Sequence, residues 1–190
     1  MYKKICLILL LLFPGVLLAQ EVLTEGEIED LLGVKIRFAK HMAFNPIIVR
    51  AVDAQNAKNI SLDQIKKDDQ EWIDSKDVQS SLMRLITTND VAKYLQRRVD
   101  NNDAIVEAFV TDNKGANVAA YPATSDYWQG DEEKWSASFN NGDGQLFIGP
   151  LELDASTNKT LVQISTPVFR GQETVGVLIL GVSVDYLSAQ

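Results

Sequence analysis

The strongest constraint on the fold of this chain is a change in its hydrophobic period near residue 104. Before that point, apolar residues recur at the spacing of one helical face, as Leu32, Ile36 and Ala39 do. After it come apolar runs that are rich in β-branched residues and have the length of strands. These runs cover residues 104–112, 116–122, 146–153, 160–169 and 174–184. The sequence therefore predicts an α+β fold in which a helical half precedes a sheet.

The helical half is predicted to contain three helical patterns. The first covers 28–58 and is interrupted at Pro46, because proline lacks an amide donor and clashes with the preceding turn. Ser61, with a glutamine three positions on, has the capping-box pattern that opens a second helix. A third helix is predicted over 77–98, with a candidate break at 87–90. Its predicted inward residues are Leu82, Leu85, Ile86 and Leu95.

Short links between the strands favour an antiparallel sheet. Residues 112–115 join the first two strands and residues 170–173 join the last two, and both links have hairpin length. The last strand is apolar on both of its alternating faces, which predicts that both faces of the sheet are covered. The long N-terminal helix can cover one face. The sequence TSDYWQGDEEKW, residues 124–135 and hereafter the lid segment, is the candidate cover of the other.

The N-terminus has the pattern of a secretory signal peptide. A basic start at Lys3 and Lys4 is followed by an apolar stretch and then by the small residue Ala19. We expect cleavage after Ala19, the alternative being a retained membrane anchor. The only cysteine, Cys6, would be lost with the leader. The predicted organisation is a signal peptide at 1–19 and one domain at 20–190, with a helical region at 20–103 and a sheet and ligand-binding region at 104–190.

Charge and composition disfavour several functional classes. A net charge of -8 argues against nucleic acid as a partner, since phosphates require a basic surface. His41 is the only histidine, so zinc and iron lack a credible ligand set, and we expect no metal and no cofactor. No ordered serine, histidine and aspartate set and no nucleophile elbow is present, so we expect the protein not to be an enzyme.

The order of these elements resembles a known family. The stretch VTDNKGANVAAYP, the tryptophan-rich lid segment, ISTPVF and VGVLILGVSVDYL together resemble the extracytoplasmic Cache (PDC-type) sensor domains of bacterial receptors. The resemblance implies a PAS-like five-stranded antiparallel sheet, with a long N-terminal helix on one face and a ligand pocket under loops and a short helix on the other. It also implies a periplasmic domain that signals through a membrane protein. Because the sequence ends at Gln190, we expect that protein to be a separate chain.

The lid segment supplies most of the candidate ligand-binding residues. Trp128 and Trp135 are seven positions apart and can direct two large apolar surfaces toward the sheet. A pocket also needs polar groups. The candidate ligand-binding residues are Tyr121, Asp126, Tyr127, Trp128, Lys134 and Trp135, with Gln163, Ser165 or Thr166 from the facing strand.

Comparison with the amino-acid-binding branch of the resembled family narrows the expected ligand. Tyr121 and Trp128 stand at the aromatic positions of that branch, but Asp126 replaces its arginine and Gly181 replaces its amine-binding aspartate. We therefore expect a small polar or carboxylate metabolite, with Lys134 as its counter-charge. The alternative is a ligand-free interaction module of the cell envelope. A homodimer through the N-terminal helix is a further expectation.

Overall fold

The computed structural model describes residues 25–75, 78–154 and 159–184. The predicted signal peptide at 1–19 lies outside these residues. The helices are α1 (Glu25–Ala43), α2 (Pro46–Asn56), α3 (Leu62–Asp74), α4 (Ser81–Thr88), α5 (Asp90–Asp100) and α6 (Glu133–Phe139). The strands are β1 (Ile105–Thr111), β2 (Asn117–Tyr121), β3 (Phe147–Ile148), β4 (Glu152–Asp154), β5 (Lys159–Arg170) and β6 (Glu173–Ser183). Among the described helices, none combines the length and the apolarity needed to cross a bilayer.

The helix boundaries follow from local capping. Pro46 begins α2, where its missing amide donor costs nothing, and the side chain of Asn45 accepts the amide of Ile47 at 3.0 Å. The predicted interruption at Pro46 is confirmed. Ser61 Oγ accepts the amide of Gln64 at 3.2 Å, which confirms the predicted start of α3.

The third predicted helix is two helices, α4 and α5, divided at Asn89. The Asn89 side chain caps α5 by accepting the amide of Ala92 at 2.9 Å and donates to the carbonyl of Val118 at 2.9 Å. The prediction that Leu85 faces inward is wrong, because its side chain is 57% exposed. The short α4 buries Ile86, as predicted, and also Met83, and Leu85 points away from them around the helix.

The strands form one antiparallel sheet in the order β2-β1-β6-β5-β3, with β4 also paired to β5. Hairpins join β1 to β2 and β5 to β6, as predicted. The predicted strand at 146–153 is divided into β3 and β4 by Gly149 and Pro150, because proline has no amide to donate to a ladder. The predicted PAS-like, five-stranded antiparallel arrangement is thereby confirmed along the main path of the sheet.

Both faces of the sheet are covered, as the apolar last strand predicted. On the helical face, α1, α2 and α5 pack against residues such as Leu178 and Leu180 of β6. On the opposite face, hereafter the lid face, α3, α4 and the lid segment pack around Phe109 and Ile179. Every residue of β6 except Glu173 is buried. A sheet that is buried on both faces is a rigid platform for the loops that cross its lid face.

Candidate functional site

The lid segment is fixed to α3 by a single carboxylate. Asp69 Oδ1 accepts the backbone amides of Tyr127 at 2.8 Å and Trp128 at 2.9 Å. Hydrogen bonds to an ionised acceptor are about twice as strong as neutral ones. This contact holds the middle of the lid segment against the helix.

Tyr127 forms the buried core of the lid segment. Its side chain is 1% exposed, and its ring lies 5.9 Å from that of Trp72. Gln55 Nε2 donates a hydrogen bond to the Tyr127 hydroxyl oxygen at 3.3 Å. Burial raises the pKa of the Tyr127 hydroxyl, and the nearby carboxylate of Asp112 raises it further. Tyr127 is therefore a neutral packing residue.

The two tryptophans attach the lid segment to the turn between β1 and β2. Trp128 Nε1 donates to the carbonyl of Lys114 at 2.7 Å, and Trp135 Nε1 donates to the carbonyl of Asp112 at 3.4 Å. A side chain at Gly130 would overlap the Trp128 indole, so this close approach requires glycine. In this structure the indole donors are occupied by the protein backbone.

A cleft of about 330 Å³ opens between the sheet and the lid segment. It lies on the lid face, at the start of α6. Its walls come from β1, β4 and β5, from the first turn of α6, from the loop between β3 and β4, and from the residues that follow β2. The lining residues are Glu107, Ala123, Thr124, Ser125, Lys134, Gly149, Pro150, Glu152, Leu161 and Gln163.

The floor of the cleft depends on a glycine. Gly181 of β6 lies in register between Glu107 of β1 and Gln163 of β5. Gln163 Nε2 donates to Glu107 Oε1 at 2.9 Å, across the space above Gly181. A Cβ atom on Gly181 would lie 2.7 Å from Glu107 Oε1. The absence of a side chain on β6 is therefore what lets the Glu107 carboxylate lie over the sheet.

The charged groups of the cleft are mixed, with an excess of carboxylates. Lys134 Nζ lies 3.8 Å from Glu132 Oε2 and 5.7 Å from the centroid of the Phe109 ring. The Lys134 side chain is only 17% exposed. Glu107 and Glu152 line the same cleft. Within it, one ammonium group thus faces two carboxylates.

The structure brings two of the predicted ligand-binding residues, Lys134 and Gln163, to the cleft. Tyr127, Trp128 and Trp135 anchor the lid segment instead. The Asp126 carboxylate accepts hydrogen bonds from Ser125 and Gln129.

Tyr121, Ser165 and Thr166 lie apart from the cleft lining. Tyr121 packs on the helical face, where its hydroxyl donates to Asp100 at 3.0 Å and this hydrogen bond raises the pKa of Tyr121. Ser165 is fully buried, and its hydroxyl has no hydrogen-bond partner within the described residues. Thr166 is also buried.

Glu107 is, together with Glu152, a charged cleft residue that sequence reasoning missed. Its only signal is a charged side chain inside an otherwise apolar strand, IVEAFVT, on the strand that pairs with Gly181. Across the three described ranges, no group of three or more histidine, cysteine, aspartate or glutamate side chains is placed to hold a metal ion.

Comparisons with known proteins return structural likeness only. No family model and no curated protein matches the chain. Among solved structures, it is similar to the ligand-binding domain of the Pseudomonas aeruginosa amino acid chemoreceptor PctC in complex with GABA, at 12% identity and a TM-score of 0.48, over 86% of this chain and 58% of that one. It is also similar to the ligand-binding domain of the Pseudomonas fluorescens chemoreceptor CtaA in complex with L-serine, at 13% identity and a TM-score of 0.46, over 85% and 55%.

A third similar structure is the sensor domain of the V. cholerae histidine kinase DctB, at 14% identity and a TM-score of 0.40, over 83% of this chain and 59% of that one. The chain thus spans less than two thirds of each of these three domains. At such identities the likeness concerns the fold alone. All three are domains of bacterial chemoreceptors or of a histidine kinase.

Proposed function

We propose that this chain is a periplasmic sensor domain that binds a small polar ligand in the cleft and signals through a membrane-bound receptor or kinase. The observation that carries the proposal is the convergence of Glu107, Lys134 and Gln163 on one recess of about 330 Å³. Ligand pockets typically combine such a concave volume with a few placed polar groups. The predicted signal peptide and the resemblance to extracytoplasmic domains support the location.

The charge balance of the cleft favours a ligand with a positively charged amine. Glu107 and Glu152 can accept hydrogen bonds from an ammonium group, while Lys134 can donate to a carboxylate or carbonyl on the same ligand. A ligand with a carboxylate alone fits less well. It would face two like charges, and Lys134 already lies 3.8 Å from Glu132. We therefore propose a small zwitterion or amine as the ligand.

The cleft also offers a route from the ligand to the rest of the fold. Thr124 and Ser125 line it and belong to the lid segment, which Asp69 attaches to α3. A ligand that contacts both the lid segment and β5 would draw the lid segment toward the sheet. The proposed partner would detect the changed position of α3 or of the lid segment.

A thermal-shift screen of the purified chain tests this function. Amino acids, amines, organic acids and sugars are compared, and we expect amine-bearing compounds to raise the melting temperature. Glu107→Gln should weaken binding about tenfold, because a charge-assisted hydrogen bond is lost. The control Glu71→Gln removes an exposed charge from α3 and should leave the affinity unchanged.

The outcomes of the screen separate the function from the ligand class. If no compound of any class stabilises the chain, the binding function is contradicted. If only organic acids do so, and Glu107→Gln binds them as well as the wild type or better, the function stands and the amine class is wrong.

A ligand-free interaction module is the second candidate function. It is favoured by Phe44, which is 64% exposed at the end of α1 and whose ring centroid lies 6.5 Å from that of Phe169. An apolar recess of about 340 Å³ adjoins this pair and includes Leu146 and Pro167. Exposed aromatic surface of this kind is typical of protein contacts. If the protein is an interaction module, Phe44→Ser should abolish partner binding. If it is a ligand-binding sensor domain, Phe44→Ser should leave ligand-induced stabilisation unchanged.

A further inference from the structure

A second recess, of about 450 Å³, lies on the opposite side of the sheet from the cleft. It is formed between α1 and the C-terminal part of α5, on the helical face. Its lining residues are Phe38, Tyr94, Arg97, Arg98, Asn101 and Asn102. None of these residues was singled out by the sequence, and none contributes to the cleft.

Two aromatic rings orient one guanidinium group of this recess. The Arg98 guanidinium carbon lies 4.9 Å from the centroid of the Tyr94 ring and 6.0 Å from that of Phe38. Stacking on aromatic rings restricts an arginine side chain, so less conformational entropy is lost when it binds a ligand. The edge of the Arg98 guanidinium keeps donors for a planar or tetrahedral oxyanion.

The cations at this recess lack counter-ions. Within the described part of the chain, no carboxylate forms an ion pair with Arg97, Arg98 or Lys35. Lys35 Nζ donates instead to Asn102 Oδ1 at 2.7 Å, which leaves the side-chain Nδ2 group of Asn102 as a further donor. Burial lowers the pKa of the Lys35 ammonium.

The C-terminus of α5 does not by itself account for this arrangement. Cations stabilise a helix C-terminus, and Arg97 and Arg98 lie in its last turn. However, the carbonyl of Arg97 already accepts Asn101 Nδ2 at 2.7 Å, and the carbonyl of Val99 accepts the amide of Asn102 at 2.9 Å. The end of α5 is therefore capped without the guanidinium groups.

Tyr94 contributes its ring to the recess. The side chain lines the recess and is 7% exposed, whereas its hydroxyl oxygen is withdrawn from solvent and has no hydrogen-bond partner among the described residues. A ligand in the recess would therefore meet the Tyr94 ring and the Arg98 guanidinium that lies over it.

We propose that the recess between α1 and α5 is a second binding site, which takes a small oxyanion such as a carboxylate or a phosphate. Arg98 and Arg97 supply the charge, and the side-chain Nδ2 group of Asn102 supplies a neutral donor. The site differs in charge from the acidic cleft and lies on the other face of the sheet. It does not depend on the function proposed for the cleft.

Calorimetric titration of the full chain with inorganic phosphate and, separately, with succinate tests this site. We expect saturable binding of at least one of the two anions. Tyr94→Phe keeps the ring that stacks on Arg98 and removes only the buried hydroxyl, so it should leave the affinity for that anion unchanged. The melting temperature of the ligand-free variant should equal or exceed that of the wild type, because an unpaired buried hydroxyl has been removed.

Two controls distinguish the site from general attraction to positive charge. Arg98→Gln should abolish measurable binding, whereas Arg84→Gln removes an exposed arginine from α4 and should leave the affinity unchanged. Lys134→Gln alters the cleft and should also leave anion binding unchanged. The proposal is overturned if neither anion binds saturably, if Arg98→Gln binds as tightly as the wild type, or if Arg84→Gln weakens binding as much as Arg98→Gln does.

Discussion

The surroundings of Asp112 disfavour the charged form of its carboxyl group. It is 4% exposed, and burial raises its pKa above the ordinary value of 3.8. The amides of Lys114 and Ala116 donate to Asp112 Oδ1 at 2.8 and 2.9 Å and reduce this shift without cancelling it. The native state therefore holds this proton more tightly than the unfolded chain does. Its contribution to stability is lost as the pH rises from 3.8 through the native pKa.

Asp112→Asn should remove this pH-dependent loss. The asparagine oxygen can accept the same two amides, and it carries no charge to desolvate. Relative to the wild type, the variant should gain melting temperature as the pH rises from about 3.5 to about 7. Paired thermal melts over this range measure the difference and cancel the titration of other groups. If the wild type instead gains melting temperature relative to Asp112→Asn as the pH rises, the native state stabilises the charged form of Asp112.

Gly181 determines the position of Glu107, and a double-mutant cycle can test this dependence. Gly181→Ala should destabilise the wild type by about 1–3 kcal/mol, because the new Cβ overlaps the Glu107 side chain. In a Glu107→Ala background the same change should cost less than about 1 kcal/mol, since the overlapping atoms are gone. Gly149→Ala, whose Cβ would meet its nearest atom at 3.6 Å, is the control from the same cleft. Equal costs in both backgrounds, measured by urea unfolding, would contradict the dependence.

At the scale of elements, the lid segment has little regular structure of its own and depends on α3. The two amides that Asp69 accepts are adjacent in the chain, so one side chain determines the path of the segment at Tyr127 and Trp128. The indole contacts with the turn between β1 and β2 fix its other side. Removal of the α3 contact should loosen the segment without unfolding the sheet.

Asp69→Ala should therefore lower the free energy of unfolding by about 1–3 kcal/mol and speed hydrogen exchange at the amides of Tyr127 and Trp128. Binding in the cleft should weaken as well, because Thr124 and Ser125 belong to the same segment. Asp74→Ala on the same helix removes an exposed carboxylate that accepts Gln70 Nε2 at 2.9 Å. It should leave exchange in the lid segment unchanged. If hydrogen exchange at these amides is faster in both variants, the cause is a general loosening of α3 and not the loss of the Asp69 contact.

The sequence predicted those elements whose signals are local. Pro46 interrupts the first helical pattern, Ser61 caps α3, and short links produce the two hairpins. The division of the third predicted helix lies within the predicted break at 87–90, where Asn89 ends α4 and caps α5. The division of the 146–153 strand follows from Pro150, whose effect on strand pairing was not anticipated.

The candidate site was less predictable because it depends on register and on distant partners. A shift of one residue moves a strand's side chains to the opposite face. The pairing of β1 with β2 contains such a shift between Val110 and Thr111. Tyr121 pairs with Ala108, and both lie on the helical face. Gln163 and Lys134, two of the predicted ligand-binding residues, line the cleft. Glu107 gains its position only from Gly181 on the neighbouring strand.

At the scale of the whole molecule, the two sides of the sheet present different chemistry. The lid face carries a cleft with more carboxylates than cations, and the helical face carries a recess with unpaired cations. The sheet between them is buried on both faces. A ligand on one side can therefore influence the other side only through the packed sheet or the helices, which makes independent binding the expectation.

The oligomeric state is the remaining property of the whole molecule, and α1 is the proposed dimer surface. Val34 on α1 and Leu85 on α4 are both 57% exposed, so an aspartate at either position should cost the monomer a similarly small amount of stability. If α1 forms the dimer, Val34→Asp should lower the dimer fraction, because it places a charge in an apolar contact, and Leu85→Asp should not. Light scattering over a dilution series measures both variants. If only Leu85→Asp dissociates the dimer, the dimer contact lies on the α4 surface and not on α1. A general effect of surface charge would affect both variants alike, because the two positions are equally exposed.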